Sequence, residues 1–163
     1  MEITLSKNSE VDSILNVIEL AKVIMINNGN TTQWINGYPS KEIILNDIKN
    51  NQGYTISKNN EIIGYFCFLV GDDPEPSYKD IKEGKWLNNN TYGVVHRLAS
   101  NGKQKGIADA CFEFCFSKTS NIKVDTHEKN LPMQNYFRKK GFKYCGIINV
   151  SDGSPRMAFQ KSI

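Results

Sequence analysis

The stretch Thr91 to Ser117, TYGVVHRLASNGKQKGIADACFEFCFS, constrains the fold of this chain more than any other. Thr91 to Ala99 reads as a strand, because β-branched and aromatic residues follow one another without a helical period and the run ends in Ser100-Asn101-Gly102. Ile107, Ala110, Cys111, Phe114 and Cys115 then recur at intervals of three and four, which predicts a helix from near Gly106 with these side chains on its buried face. Between strand and helix lies Gly102 to Ala108, a small-residue loop with two lysines. A strand feeding a glycine-containing loop that opens a helix offers free N–H groups and the positive end of the helix dipole, an arrangement suited to phosphate. The sequence has no G-x-x-x-x-G-K-[ST], which argues against a nucleotide triphosphatase. It has no G-x-G-x-x-G with a later acidic residue, which argues against a dinucleotide fold.

The flanking segments supply the rest of an α/β pattern. Glu2 to Leu5 is short enough for an edge strand, and Ser9, with Asp12 three residues on, can cap a helix carrying Val11, Ile14, Leu15, Ile18, Ala21 and Met25 at helical spacing. Thr31 to Pro39 is irregular but holds Trp34 and Tyr38. Ser40 can cap a second helix with Ile43, Ile44 and Ile48 inward. Tyr54 to Ser57 and Glu61 to Val70 flank Lys58-Asn59-Asn60 and should pair as a hairpin. The long connection from Gly71 to Asn90 holds Asp72, Asp73, Glu75, Tyr78, Glu83 and Trp86, and connections of that length tend to be functional or mobile. Its acidic cluster reads either as an attraction for a cationic ligand or as a solvated turn. Asn121 to Thr126 is expected to lie beside Tyr92 to Ala99. Asn130 then precedes a helix with Pro132 in its first turn and Met133, Tyr136, Phe137 and Lys140 along one side, and Phe142 to Val150 with Pro155 to Lys161 should be two closing antiparallel strands.

A chain of 163 residues with no repeat or linker is expected to be one domain, residues 1–163. No segment has the layout of an export signal and no apolar run could span a bilayer, so a cytoplasmic protein without membrane contact is expected. Cys67, Cys111, Cys115 and Cys145 all fall inside predicted elements and read as small buried hydrophobes rather than metal ligands, because no CxxC pair or His-rich partner accompanies them. A net charge of +3 is too small for a nucleic-acid binder, and Arg138-Lys139-Lys140 reads as a solvated helix end.

Lys103-Gln104-Lys105-Gly106-Ile107-Ala108 resembles the [Q/R]-x-x-G-x-[G/A] signature of the GNAT superfamily of acetyl-CoA-dependent N-acyltransferases, with Lys103 where that pattern has Gln or Arg. The preceding strand, and Asn130-Leu131-Pro132-Met133 and Lys140-Gly141-Phe142 after it, are similar in order and spacing to the family's next landmarks. The resemblance implies a mixed central sheet of about six to seven strands flanked by helices, with two central strands splayed apart around the pantetheine arm of acetyl-CoA. It implies that Leu98, Ala99, residues 103 to 108, Asn130, Met133 and Phe137 contact the coenzyme, that Trp34, Tyr38, Tyr78 and Trp86 line the acceptor site, and that no metal is needed. It also implies a small-molecule or peptide amine as acceptor, and it leaves a homodimer open.

The chemistry needs a positioned carbonyl, a neutral amine and a donor for the developing oxyanion. A backbone N–H near Leu98 can be that donor. The base is open among His96, Asp125, His127 and Glu83, since each can accept a proton; Asp125 wants a partner, with Arg97 or His96 available. Family members often have a tyrosine acid at the position of Phe137. Tyr136 is adjacent, but one step along a helix turns a side chain by about 100°, so its role as acid stays open. The absent tyrosine and the unassigned base also fit a non-catalytic acyl-CoA-sensing module.

Overall fold

The computed structural model describes residues 1–163. Seven strands, β1 (Glu2–Leu5), β2 (Gly53–Lys58), β3 (Glu61–Gly71), β4 (Tyr92–Ser100), β5 (Asn121–Thr126), β6 (Lys143–Asn149) and β7 (Pro155–Ser162), form one sheet in the order β1-β2-β3-β4-β5-β7-β6. Every neighbouring pair is antiparallel except β4 and β5. Four helices cover it: α1 (Val11–Asn27), α2 (Lys41–Lys49), α3 (Ile107–Phe116) and α4 (Leu131–Lys139). The expected mixed sheet of six to seven strands with flanking helices is therefore present.

The alternation of β3 divides the core. Phe66 and Phe68 point to one face, where they meet Ile107, Cys111, Phe112 and Cys115 of α3 and Phe137 of α4. Tyr65 points to the other, against Ile14, Val17 and Ile18 of α1 and Ile44 of α2. Each such apolar side chain, taken fully from water, contributes roughly 1.5–3 kcal/mol before the entropy of ordering it. Phe112 is a core residue that the three-and-four spacing in α3 leaves out; its ring packs on Tyr136, Phe137 and Phe142.

Local signals set most boundaries. Ser40 accepts from the Ile43 N–H at 3.3 Å, so the expected cap forms, and Asn130, expected just before its helix, caps it by accepting from the Met133 N–H at 3.3 Å. Ser9 does not cap α1. Instead a 3₁₀ turn, Asn8–Glu10, leads into it, and Glu10 reaches back to accept from the Lys7 N–H at 2.7 Å, so the reciprocal bond forms two residues earlier than the expected Ser9–Asp12 pair.

The connection from β3 to β4 is packed rather than loose. Its 3₁₀ turn, Pro76–Tyr78, and Trp86 lie over Tyr92, Val94, Ile148 and Ala158, on the same sheet face as α1 and α2. Lys82 and Ile147 exchange two N–H to carbonyl bonds of 2.8 Å, which clip the segment to β6. Gly84 is required there, because a Cβ would overlap the Cys145 carbonyl.

Two features open the sheet's centre. Strands β4 and β5 pair only at Gly93–Ile122 and Val94–Lys123 and then part. On its other edge β4 bulges. His96 faces Cys67 and Ala99 faces Tyr65, so Arg97 and Leu98 together oppose Phe66, with Arg97 at φ 55°.

Candidate active site

A cavity of about 950 Å³ runs through the gap between β4 and β5. On the α3/α4 side its wall includes Leu98, Ala108, Val124, Met133, Tyr136 and Phe137. Its other end is built from Trp34, Tyr38, Glu75, His96, Asp125 and Arg156.

At the first end the wall leads to the turn between β4 and α3. Ser100 Oγ accepts from the Gly102 N–H at 3.1 Å and Asn101 Oδ1 from the Lys103 N–H at 3.0 Å, folding the turn on itself. Lys103 Nζ meets Glu61 at 2.7 Å, and Lys58 Nζ donates to Gln104 Oε1 at 2.9 Å, pinning the turn to the β2–β3 hairpin. These two side chains are thus engaged within the protein, whereas the main chain is not: no hydrogen bond within the chain is donated by the N–H groups of residues 104 to 109. Gly106 stands at φ 85° as the N-cap of α3, a left-handed conformation that lets the amides on either side converge at little cost. Free amides at the head of a ten-residue helix suit a diphosphate, so the donor set fits coenzyme A. Asn130 caps α4 and donates to Gln33 at 3.0 Å, tying α4 to the irregular segment before α2.

Tyr136 lines the same channel, with its hydroxyl donating to Asp109 of α3 at 3.0 Å; Lys140 holds that carboxylate oxygen at 2.7 Å. Burial and the Asp109 carboxylate push the Tyr136 hydroxyl above its ordinary range. Phe137 is buried in the core beneath it and has no polar atom to offer.

At the other end two carboxylates from different segments enter. Glu75 Oε2 lies 2.7 Å from His96 Nε2, and Tyr78 donates to Asp125 Oδ2 at 2.6 Å. Burial alone would raise the Glu75 carboxyl, but the imidazole and the Ser77 hydroxyl and N–H overcome it and hold it at about 2. An ionised Glu75 accepts, so His96 carries a proton on Nε2, and Nδ1 is the ring nitrogen left outside this bond.

Arg97 pairs with neither candidate base. Its guanidinium grips Asp47 of α2 through two bonds of 2.9 and 2.7 Å and touches the Tyr38 hydroxyl at 3.2 Å. Tyr65 donates to the same carboxylate at 2.7 Å. Asp125 therefore has a tyrosine, not Arg97 or His96, as its partner.

The remaining sequence candidates fall outside the cavity wall. Tyr78 is buried behind Asp125, and Trp86 lies behind Tyr78, donating to its carbonyl at 2.7 Å. His127 stands at the rim, 3.1 Å from the Thr32 hydroxyl, and Glu83 is exposed beside the β6 clip. Of the acidic cluster only Glu75 lines the cavity: Asp72 accepts from Thr91 and Asp73 pairs with Lys79, both at 2.6 Å. Asp47 and Arg156 were missed in the sequence, because neither sits in a motif and each acquires its place through contacts across the fold.

Neither a family model nor a curated protein matches the sequence. Solved structures do. An acetyltransferase of the GNAT family from Streptococcus agalactiae 2603 is 32% identical, with 99% of this chain and 95% of that one aligned at a TM-score of 0.87. A structure from Staphylococcus aureus Mu50 is 29% identical over 99% of both chains, with a TM-score of 0.71. The ribosomal-protein-S18-alanine N-acetyltransferase of Escherichia coli shares the fold alone, at 10% identity and a TM-score of 0.66 over 99% of this chain and 93% of that one. With the parted β4 and β5, the open amides heading α3 and a relative of this identity over almost its whole length, the chain belongs to the GNAT family of acyl-CoA-dependent N-acetyltransferases.

Proposed function

We propose that this chain transfers an acetyl group from acetyl-CoA directly to a primary amine within a ternary complex. The observation that carries this reading is the His96–Glu75 pair on the wall of the cavity where β4 and β5 separate. The amides of residues 104 to 109 hold the diphosphate, and Leu98, Met133 and Phe137 line the path of the pantetheine; Ala99, expected beside it, is instead buried against α1 on the other sheet face, because the bulge turns it there with His96. The bulge at Arg97 frees the neighbourhood of Leu98 from a regular ladder, and the Leu98 N–H donates to the thioester carbonyl as its oxygen gains charge; such a donor contributes about 2.7–4 kcal/mol of transition-state stabilisation.

His96 is the base. Its Nδ1 takes a proton from the acceptor ammonium, Glu75 fixes the tautomer and steadies the imidazolium, and Asp125, oriented by Tyr78, draws the cationic acceptor between Trp34 and Tyr38. The amine nitrogen then attacks the carbonyl carbon, the carbon–sulfur bond breaks with its electron pair on sulfur, and the second proton of the amine nitrogen passes to solvent or to the released thiolate as the amide forms. The sulfur leaves as a thiolate, whose conjugate thiol has a pKa of about 8.5 in model compounds, so it departs without an acid. Tyr136 is left as channel wall, its hydroxyl committed to Asp109. Four free, buried cysteines suit a reducing compartment, in line with a cytoplasmic enzyme.

The direct test is thiol release from acetyl-CoA with and without a panel of amines. Release that requires an amine, with no acetylated protein trapped when the amine is omitted, is the expected result. A stable acetyl-protein on the productive path would overturn direct transfer.

A further inference from the structure

The acceptor end of the cavity contains a buried cation that forms no ion pair. Arg156 of β7 is 7% exposed and lines the cavity, yet its only hydrogen bond is from Nη1 to the carbonyl of its neighbour Pro155, at 3.0 Å. It takes part in none of the chain's ion pairs. Asp152, the carboxylate nearest in sequence, lines the same cavity and feels the charge of Arg156, but it is exposed, makes no ion pair with it and accepts from the Ser154 N–H at 2.8 Å. Arg97, the other arginine beside the cavity, shows the contrast: there the same side chain is saturated by Asp47 and Tyr38. A guanidinium with five donors taken from water and given one carbonyl is a costly arrangement unless something else supplies the anion.

Its position says which ligand does so. Arg156 alternates with Ala158, which packs with Tyr78 and Ile148, so it points to the sheet face of His96, Glu75 and Asp125, whereas the open amides of α3 serve the opposite face. It is therefore not a coenzyme diphosphate contact. Resting on the transferase reading above, we infer that Arg156 anchors the acceptor, and that the acceptor is an amine carrying a carboxylate, an amino acid or a short peptide with a free C-terminus. The planar fork matches a carboxylate through two parallel bonds. A phosphate dianion would instead set two negative charges against one cation, with Glu75 and Asp125 nearby. With β5 between the strands that carry His96 and Arg156, and β4 already parted from β5 at His96, amine and carboxylate are held across more than two strand spacings, that is more than roughly 10 Å at the main chain and less at the tips of the side chains.

Matched acceptors test this. Thiol release gives kcat/KM for α-amino acids, ω-amino acids and dipeptides beside their carboxamides, with phosphoethanolamine as a phosphate arm. The free acids should exceed their carboxamides by about 10- to 100-fold. Arg156→Gln should remove the difference and Arg156→Lys restore part of it, while calorimetric affinity for acetyl-CoA stays at the wild-type value in both. The inference is overturned if carboxamides react equally well in the wild type, if the preference survives Arg156→Gln, or if phosphoethanolamine outruns every carboxylate. Since the first comparison needs no variant, a failure of Arg156→Gln to fold leaves it decisive. If acetyl-CoA binds but no amine reacts, the transferase reading fails, and the anchor is judged by calorimetry on the coenzyme A-loaded protein. Binding of the acids and not the carboxamides supports it; equal or absent binding overturns it.

Discussion

The two ends of the cavity are made of different material. At the α3 end the donors are main-chain amides of one continuous segment, residues 104 to 109, held in place by a turn and by two side chains that face away into the hairpin. At the other end the groups are side chains from four separate segments: Glu75 from the long connection, His96 from β4, Asp125 from β5 and Arg156 from β7. A backbone site depends on local conformation and tolerates exchange of most side chains. A side-chain site depends on the whole fold to bring its members together, and each member is individually replaceable. One end suits an invariant cosubstrate; the other suits an acceptor that differs among relatives of one fold.

If the two ends are this separate, substitutions should divide cleanly between them. The largest effect is expected from Ala108→Arg, which fills the channel at the first turn of α3: calorimetry should detect no acetyl-CoA binding, and wild-type affinity would break the assignment of that end. His96→Gln comes next. It should lower kcat by about 10²–10⁴-fold while leaving acetyl-CoA affinity unchanged, and a loss confined to KM would remove His96 from proton transfer. Asp47→Asn tests the junction, because Asp47 holds the bulge of β4 through Arg97 and stands 3% exposed. Leaving that guanidinium unpaired should cost about 3 kcal/mol in denaturant unfolding, and a cost near zero would show that the pair does not fix the bulge. The smallest effect is a slope. Glu75 is held at about 2 in the fold against an ordinary 4.5, so its contribution is complete above pH 4.5 and is lost as the pH falls towards 2; Glu75→Gln should flatten acid unfolding in that window, and an unchanged slope would sever Glu75 from His96.

The same division explains what the sequence disclosed. The strand, loop and helix from Thr91 to Ser117 could be read because glycine spacing, turn residues and helical period are all local, and the hairpin, the cap at Ser40 and the helix start after Asn130 were legible for the same reason. Phe112 escaped because its burial comes from aromatic packing against α4, off the three-and-four stripe. The partners of Asp125 and Arg97 could not be read, since Tyr78 lies 47 residues from the first and Asp47 lies 50 from the second. Arg156 sits in an unremarkable closing strand, and only the face it takes, and the absence of an ion pair to it, distinguishes it.

The bulge of β4 carries a consequence for how such a protein can change. With one extra residue opposite Phe66, His96 and Arg97 both serve the side of the sheet where α2 lies, and Leu98 turns to the α3 side. Removing a single residue between His96 and Ala99 would restore a regular alternation and send one of these groups to the wrong side. Diversification of acceptors in proteins built this way is therefore free to proceed by exchanging side chains but is closed to insertions and deletions in this strand, and libraries aimed at new acceptors should hold its length fixed.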